Sequence, residues 1–201
     1  MWKTYFQKRP GEPVTVLLFV DANSYTAWAK KLFNDTGLSP YGYYKREVRT
    51  LVMNIGTGPG TLIHELTHAL ISPDFPLVPD WFNEGLASLH EGCMVREDRI
   101  VGMVNWRLPG LREAMEKGKL RPLEELLTAG DFYGDNRGVN YAEARYFCMY
   151  VQQNSLLEKF YKQFHDSHEG KRAAVDAVEA VFGKKIGQVD KEFVAWLKTL
   201  K

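Results

Sequence analysis

Cysteine is scarce in this chain. Cys93 and Cys148 are the only two, so at most one disulfide can form, and no C-x-x-C spacing is available for a redox pair or a zinc ribbon. A disulfide-stapled fold is excluded, and both thiols read as buried and free. An excess of charge of one sign is also missing. Lys and Arg number 26 against 25 Asp and Glu, which leaves no basic footprint for nucleic acid and no acidic tail, so no polyanion partner is expected. Long apolar runs are absent too. The run from Val14 to Val20 is far shorter than the roughly twenty residues that cross a bilayer, and no signal-peptide pattern precedes it. The chain as written reads as soluble; its compartment is left open, because a longer parent chain could carry an export signal. No internal repeat or low-complexity tract is present.

What the chain does have is enough apolar material for a core. With 201 residues, 45% hydrophobic and 13% aromatic, it can build one substantial core or two small lobes. Histidine is rare, at five residues, yet two of the five fall in His64-Glu65-Leu66-Thr67-His68, an H-E-x-x-H pattern. On a helix, residues four apart share a face, so His64 and His68 can present ring nitrogens to one cation. Imidazole suits zinc, at roughly 2.0–2.1 Å. Glu65, one residue on from His64, then stands beside the ion, where its carboxylate can take the proton of a zinc-bound water as general base. The helical context agrees: Leu62, Ile63, Leu66, Ala69 and Leu70 recur at three- and four-residue steps, with a break expected at Gly56-Thr57-Gly58-Pro59-Gly60 before and at Pro73 after.

Two histidines do not complete a catalytic zinc site, which needs a third protein ligand and an open position. Glu84 is the best candidate. It lies in Trp81-Phe82-Asn83-Glu84-Gly85-Leu86-Ala87, where Asp80 can cap the start of a second helix after a proline-rich reversal over 72–79. Gly85 inside that helix suggests close approach to a neighbour. The competing reading of Glu84 is a solvated helix carboxylate.

Together the two segments resemble the gluzincin clan of zinc metallopeptidases, especially the compact peptidase-MA-like domains with a W-x-x-E-G-x-A second helix. The motifs cover about thirty residues, and the pair is more specific than either motif alone. The resemblance implies Zn2+ on His64, His68 and Glu84, Glu65 as catalytic base, and a zincin-like α+β fold. In that fold a small N-terminal sheet with backing and active-site helices (1–72) precedes a mainly helical C-terminal lobe (73–201). In gluzincins a downstream Tyr or His often stabilises the oxyanion, which brings in Tyr141, although Tyr133, Tyr146 or Tyr150 can equally serve or merely pack. The aminopeptidase G-x-M-E-N motif is missing around Met53-Asn54, which favours an endopeptidase acting on a peptide or protein substrate. Glu84 follows His68 by only sixteen positions, fewer than in the large aminopeptidases, so the intervening loop is tighter.

The remaining chain supplies scaffolding. Val14 to Val20 reads as a strand, Asp21 to Asn34 as a helix with an apolar face at Tyr25, Trp28, Ala29, Leu32 and Phe33, and Val48 to Ile55 as a strand apolar on both sides. A strand directly before the active-site helix can serve as an edge that binds peptide near Met53 to Gly58. Ile100 to Val104 reads as a short strand, and Pro109 to Gly118 and Pro122 to Thr128 as short helices. The stretch 130–139 reads as a loop, leading into a helix that Asn140 caps with Glu143 three positions on. Arg145, one turn beyond Tyr141, can position substrate or the tyrosine hydroxyl. Three apolar stripes after Leu156 read as packed helices, and His165-x-x-His168 as a solvated helix end. Two other functions stay open: a zincin-like binding module with a structural zinc and no hydrolysis, and a zinc amidase acting on a non-peptide substrate.

Overall fold

The computed structural model describes residues 6–8 and 11–201. The chain divides into two compact units, Phe6–Pro76 and Leu77–Lys201, and small sheets combine with many helices in the α+β class expected.

In the first unit β1 (Thr15–Phe19), α1 (Ala22–Phe33), β2 (Gly42–Lys45), β3 (Thr50–Asn54) and α2 (Gly60–Asp74) follow in order. α1 starts where expected: the Asp21 carboxylate accepts from Ser24 N at 2.7 Å in a capping box, which satisfies helix N–H groups that otherwise lack partners. As a helical crossover it lets β1 pair parallel with β3, Leu17 opposite Val52. β2 pairs antiparallel on the other side of β3, so the order is β1-β3-β2. This corrects the edge-strand expectation. Met53 lies in the central strand, whose backbone groups already bond on both sides. All five β3 residues are buried; Val52 packs with Tyr25 and Ala29 of α1, leaving Leu51 and Met53 on the opposite face.

Helix α2 carries the H-E-x-x-H motif and does not stop at Pro73, which is accommodated in its last turn. Beyond it the buried Asp74 carboxylate accepts the backbone N–H groups of Gln7 and Lys8 at 2.9 and 2.5 Å, tying this early segment to the helix end.

The second unit opens with α3 (Asp80–Glu91), followed by the hairpin β4 (Cys93–Arg96) and β5 (Arg99–Gly102). Then come α4 (Leu108–Glu116), α5 (Leu123–Thr128), α6 (Arg137–Gln153), α7 (Leu157–Asp166), α8 (Ala173–Phe182) and α9 (Ile186–Thr199). Helix α3 is buried from Trp81 to His90 apart from Asn83, and it packs chiefly on α6. Gly85 explains how near they come: a Cβ there would lie 2.9 Å from the Ala144 carbonyl oxygen and 3.1 Å from Cys148 Sγ. The close approach expected of Gly85 is thus made to α6. An aromatic cluster surrounds the start of α3, with Trp81 stacked on Phe164 at 6.1 Å and Phe82 edge-on to Phe160 at 5.2 Å.

Candidate metal centre

His64 and His68 lie one turn apart on α2, with ring centroids 4.7 Å apart and planes at 82°. His64 is buried and His68 partly so. The helical spacing alone produces this pair. Glu65, between them, is partly buried, and its charge reaches Tyr25: burial, then Glu65, then Asp35 push the Tyr25 hydroxyl up to about 12. The Tyr25 hydroxyl donates to the Ser39 carbonyl at 3.0 Å.

Glu84 sits in the second turn of α3, only 7% exposed. Pro79 occupies the N-cap position with no side-chain cap bond, and Asp80 is the first helical residue, which corrects the expectation that Asp80 caps the helix. The Glu84 carboxylate is held by two tyrosines. Tyr133 donates to Glu84 Oε1 at 2.8 Å, and Tyr141 is bonded to the same carboxylate. Both phenols are raised above the ordinary tyrosine range, first by burial and then by the Glu84 charge. Each therefore keeps its proton and acts as a donor.

One ligand atom from each of His64, His68 and Glu84 lies within 4.8 Å of the other two. These three residues form a group that could hold a metal ion. Two imidazoles and a carboxylate suit zinc, among other divalent transition metals. No protein-family model, no curated protein and no solved structure matches the chain.

The surroundings of Tyr141 differ from the expected ones. Helix α6 begins at Arg137, three residues before Asn140, so Asn140 and Glu143 form no capping box and Tyr141 lies in the second turn. Asn140 instead donates its side-chain N–H to the Phe132 carbonyl at 2.8 Å. That bond clamps the preceding loop against α6 and sets Tyr133 next to Tyr141, with ring centroids 6.3 Å apart. Glu143 is buried and accepts the Arg121 N–H at 3.4 Å, and burial pushes its carboxyl up to about 8. Arg145 is also buried and turned away from Tyr141: its Nε donates to the Ser88 carbonyl at 3.0 Å and another guanidinium nitrogen donates to the Met103 carbonyl. It joins α3, α6 and the segment after β5, and the substrate-positioning expectation for it fails. Arg107 takes the place beside Tyr141. Its guanidinium makes a two-pronged pair with Glu91 at 2.9 and 3.1 Å and lies 5.4 Å from the Tyr141 ring centre.

Sequence reasoning named Tyr133 only as one of several tyrosines. Its loop position carried no periodic signal that could single it out. At the other end of the chain His168 Nδ1 bonds the His165 carbonyl at 2.8 Å, and His165 Nδ1 lies 2.8 Å from the Asp166 carboxylate. Both imidazoles are partly buried at the end of α7, so the expected solvated helix end is only partly so. Both cysteines are free, and only Cys148 is fully buried. Among the described residues no helix is long and apolar enough to cross a membrane.

Proposed function

We propose that this chain is a zinc metallopeptidase of the gluzincin type, an endopeptidase in which His64, His68 and Glu84 hold the ion and Glu65 is the general base. The observation that supports it best is the grouping of those three ligand atoms around a motif whose intervening residue is a carboxylate. A structural role for the metal would explain the ligands but would give no reason for Glu65. Zinc, when bound, supplies Lewis-acid polarisation of a peptide carbonyl and eases deprotonation of water.

The protein's own groups do the rest. Glu65 accepts the proton of the attacking water on its carboxylate and passes it to the nitrogen of the departing amine, a transfer that contributes typically 10²–10⁴-fold. Tyr141, whose one O–H is bonded to Glu84 in the free chain, turns that donor to the oxygen that gains charge as the carbonyl is attacked, leaving Tyr133 to hold Glu84. The Tyr133 hydroxyl holds Glu84 Oε1 and fixes the orientation of the carboxylate, as partners of metal ligands commonly do.

The test is hydrolysis of a mixed peptide library by the full chain with zinc, after chelation, and after zinc is restored. Internal cleavage that disappears with chelator and returns with zinc is expected. Cleavage that persists unchanged in the chelated protein would contradict the proposal.

A further inference from the structure

Trp106, on the segment between β5 and α4, is the most exposed aromatic residue among the described residues, at 71%. A single exposed apolar side chain ordinarily carries no meaning. This one is held in place twice over. Its backbone lies in a turn in which the Leu108 N–H donates to the Asn105 carbonyl at 3.1 Å and the Arg107 N–H to Asn105 Oδ1 at 3.0 Å. The Asn105 N–H in turn donates at 3.2 Å to the hydroxyl of Tyr146, a buried residue of α6. Its ring is held from one side by the Arg107 guanidinium, 4.3 Å from the ring centre. That guanidinium is itself fixed by its fork to Glu91, with both side chains largely buried. An indole fixed in this way keeps a flat apolar face in water and has little conformational freedom left to lose when something covers it.

The place of this face in the second unit points to what covers it. The same guanidinium lies 5.4 Å from the Tyr141 ring centre, and Tyr141 is bonded to the Glu84 carboxylate. Through the shared cation the two rings stand within roughly 10 Å of each other, the span of about three extended peptide residues. Glu91 balances the Arg107 charge, so neither an acidic nor a basic side chain is favoured there by a net field. What the surface offers is one open aromatic face.

Resting on the peptidase reading above, we infer that Trp106 is a specificity-determining residue whose open face stacks with an aromatic side chain of the peptide substrate, two or three residues from the bond that is cut. Phenylalanine, tyrosine and tryptophan gain both burial and the ring-on-ring contact. Leucine and methionine gain burial alone. Glycine gains neither, so the selectivity for an aromatic residue over glycine at that position rests on this indole.

The experiment has two parts, both on the zinc-loaded full chain. In the first, ¹⁵N-labelled protein is titrated with acetyl-pentaglycinamide and with the same peptide carrying one phenylalanine at its second or its fourth position, following the Trp106 indole resonance assigned through Trp106→Ala. A saturable shift with at least one phenylalanine peptide and none with pentaglycine is expected. No shift with any peptide, or the same shift with all three, would overturn the subsite. In the second part, peptide-library turnover is compared for wild type, Trp106→Ala and Trp106→Tyr. For peptides with an aromatic residue two or three positions from the cut, kcat/KM is expected to fall about 3- to 10-fold in Trp106→Ala through a higher KM, and to be largely kept in Trp106→Tyr. Peptides with glycine there are expected to be cut equally by all three proteins. An equal loss for aromatic and glycine peptides would reduce Trp106 to a structural role and overturn the inference. The two parts also separate it from the peptidase reading. A phenylalanine-dependent shift without cleavage of any peptide keeps the indole as a peptide site and removes the peptidase. Cleavage whose preference for aromatic residues is unchanged in Trp106→Ala keeps the peptidase and removes the subsite.

Discussion

Glu84 depends on Tyr133 as much as on its own helix. Tyr133→Phe deletes the bond to Glu84 Oε1 and keeps the ring, so zinc affinity is expected to fall about 10- to 100-fold, the usual cost of losing a ligand's partner. Glu84→Ala, which removes the ligand itself, falls further. Competition with a chromogenic chelator measures both, and unchanged affinity in Tyr133→Phe would mean that the loop has no part in the site. The loop was not legible in the sequence because its geometry comes from the Asn140 clamp, and Asn140 looked like a helix cap. His64, His68 and Glu84 were legible, since two follow from helix periodicity and the third from the residues around it. Glu143 shows a different residue-scale consequence. Its carboxyl is raised to about 8 in the folded chain by burial, opposed by the Arg121 N–H, but ionises near the ordinary carboxylate range when unfolded. Stability from this group is therefore full below that ordinary range and is lost as pH rises to about 8, by up to about 1.4 kcal/mol per pH unit. Urea midpoints for wild type between pH 5 and 8.5 should fall along that course, and Glu143→Gln should flatten it. A parallel decline in both proteins would rule out Glu143 as its source.

Among elements, α3 is the most constrained, because it presents Glu84 while its other faces are buried. Gly85→Val places carbon against the Ala144 carbonyl and Cys148 Sγ, and overpacking of this kind typically costs about 1–3 kcal/mol. A urea midpoint lowered by that amount is expected, and an unchanged midpoint would show that α6 yields easily. α1, α4, α5, α8 and α9 were readable from caps and apolar stripes, and β1 and β3 from β-branched runs. The β4–β5 hairpin was only half read. Its turn residues Glu97 and Asp98 both take positive φ, 48° and 59°, a conformation that Asn-Gly usually signals. β2 is a four-residue strand, too short for an alternation to show. The start of α6 was misplaced because Arg137 to Val139 carry no cap or apolar stripe; their helical state comes from turn bonds such as Asn140 N to the Asn136 carbonyl at 3.0 Å.

For the whole molecule, composition excluded more than it specified. Balanced charge, rare cysteine and short apolar runs argue against a polyanion partner, a disulfide-stapled fold and a membrane span, but the α+β class, which the structure has, came from the resemblance that the two motifs carry. Strand order stayed hidden, since β1 and β3 read alike in isolation and only the pairing places β3 in the centre. The two motifs that carry the proposed chemistry fall in different compact units of the chain, so no single local segment contains the ligand set. The most direct measurement is zinc content and peptide-library turnover of the purified full chain beside Glu65→Gln. The account predicts one zinc per chain in both proteins and a loss of at least about 100-fold in turnover for the variant. Equal turnover would contradict Glu65 as the base, and zinc in both proteins with no cleavage in either would contradict the peptidase.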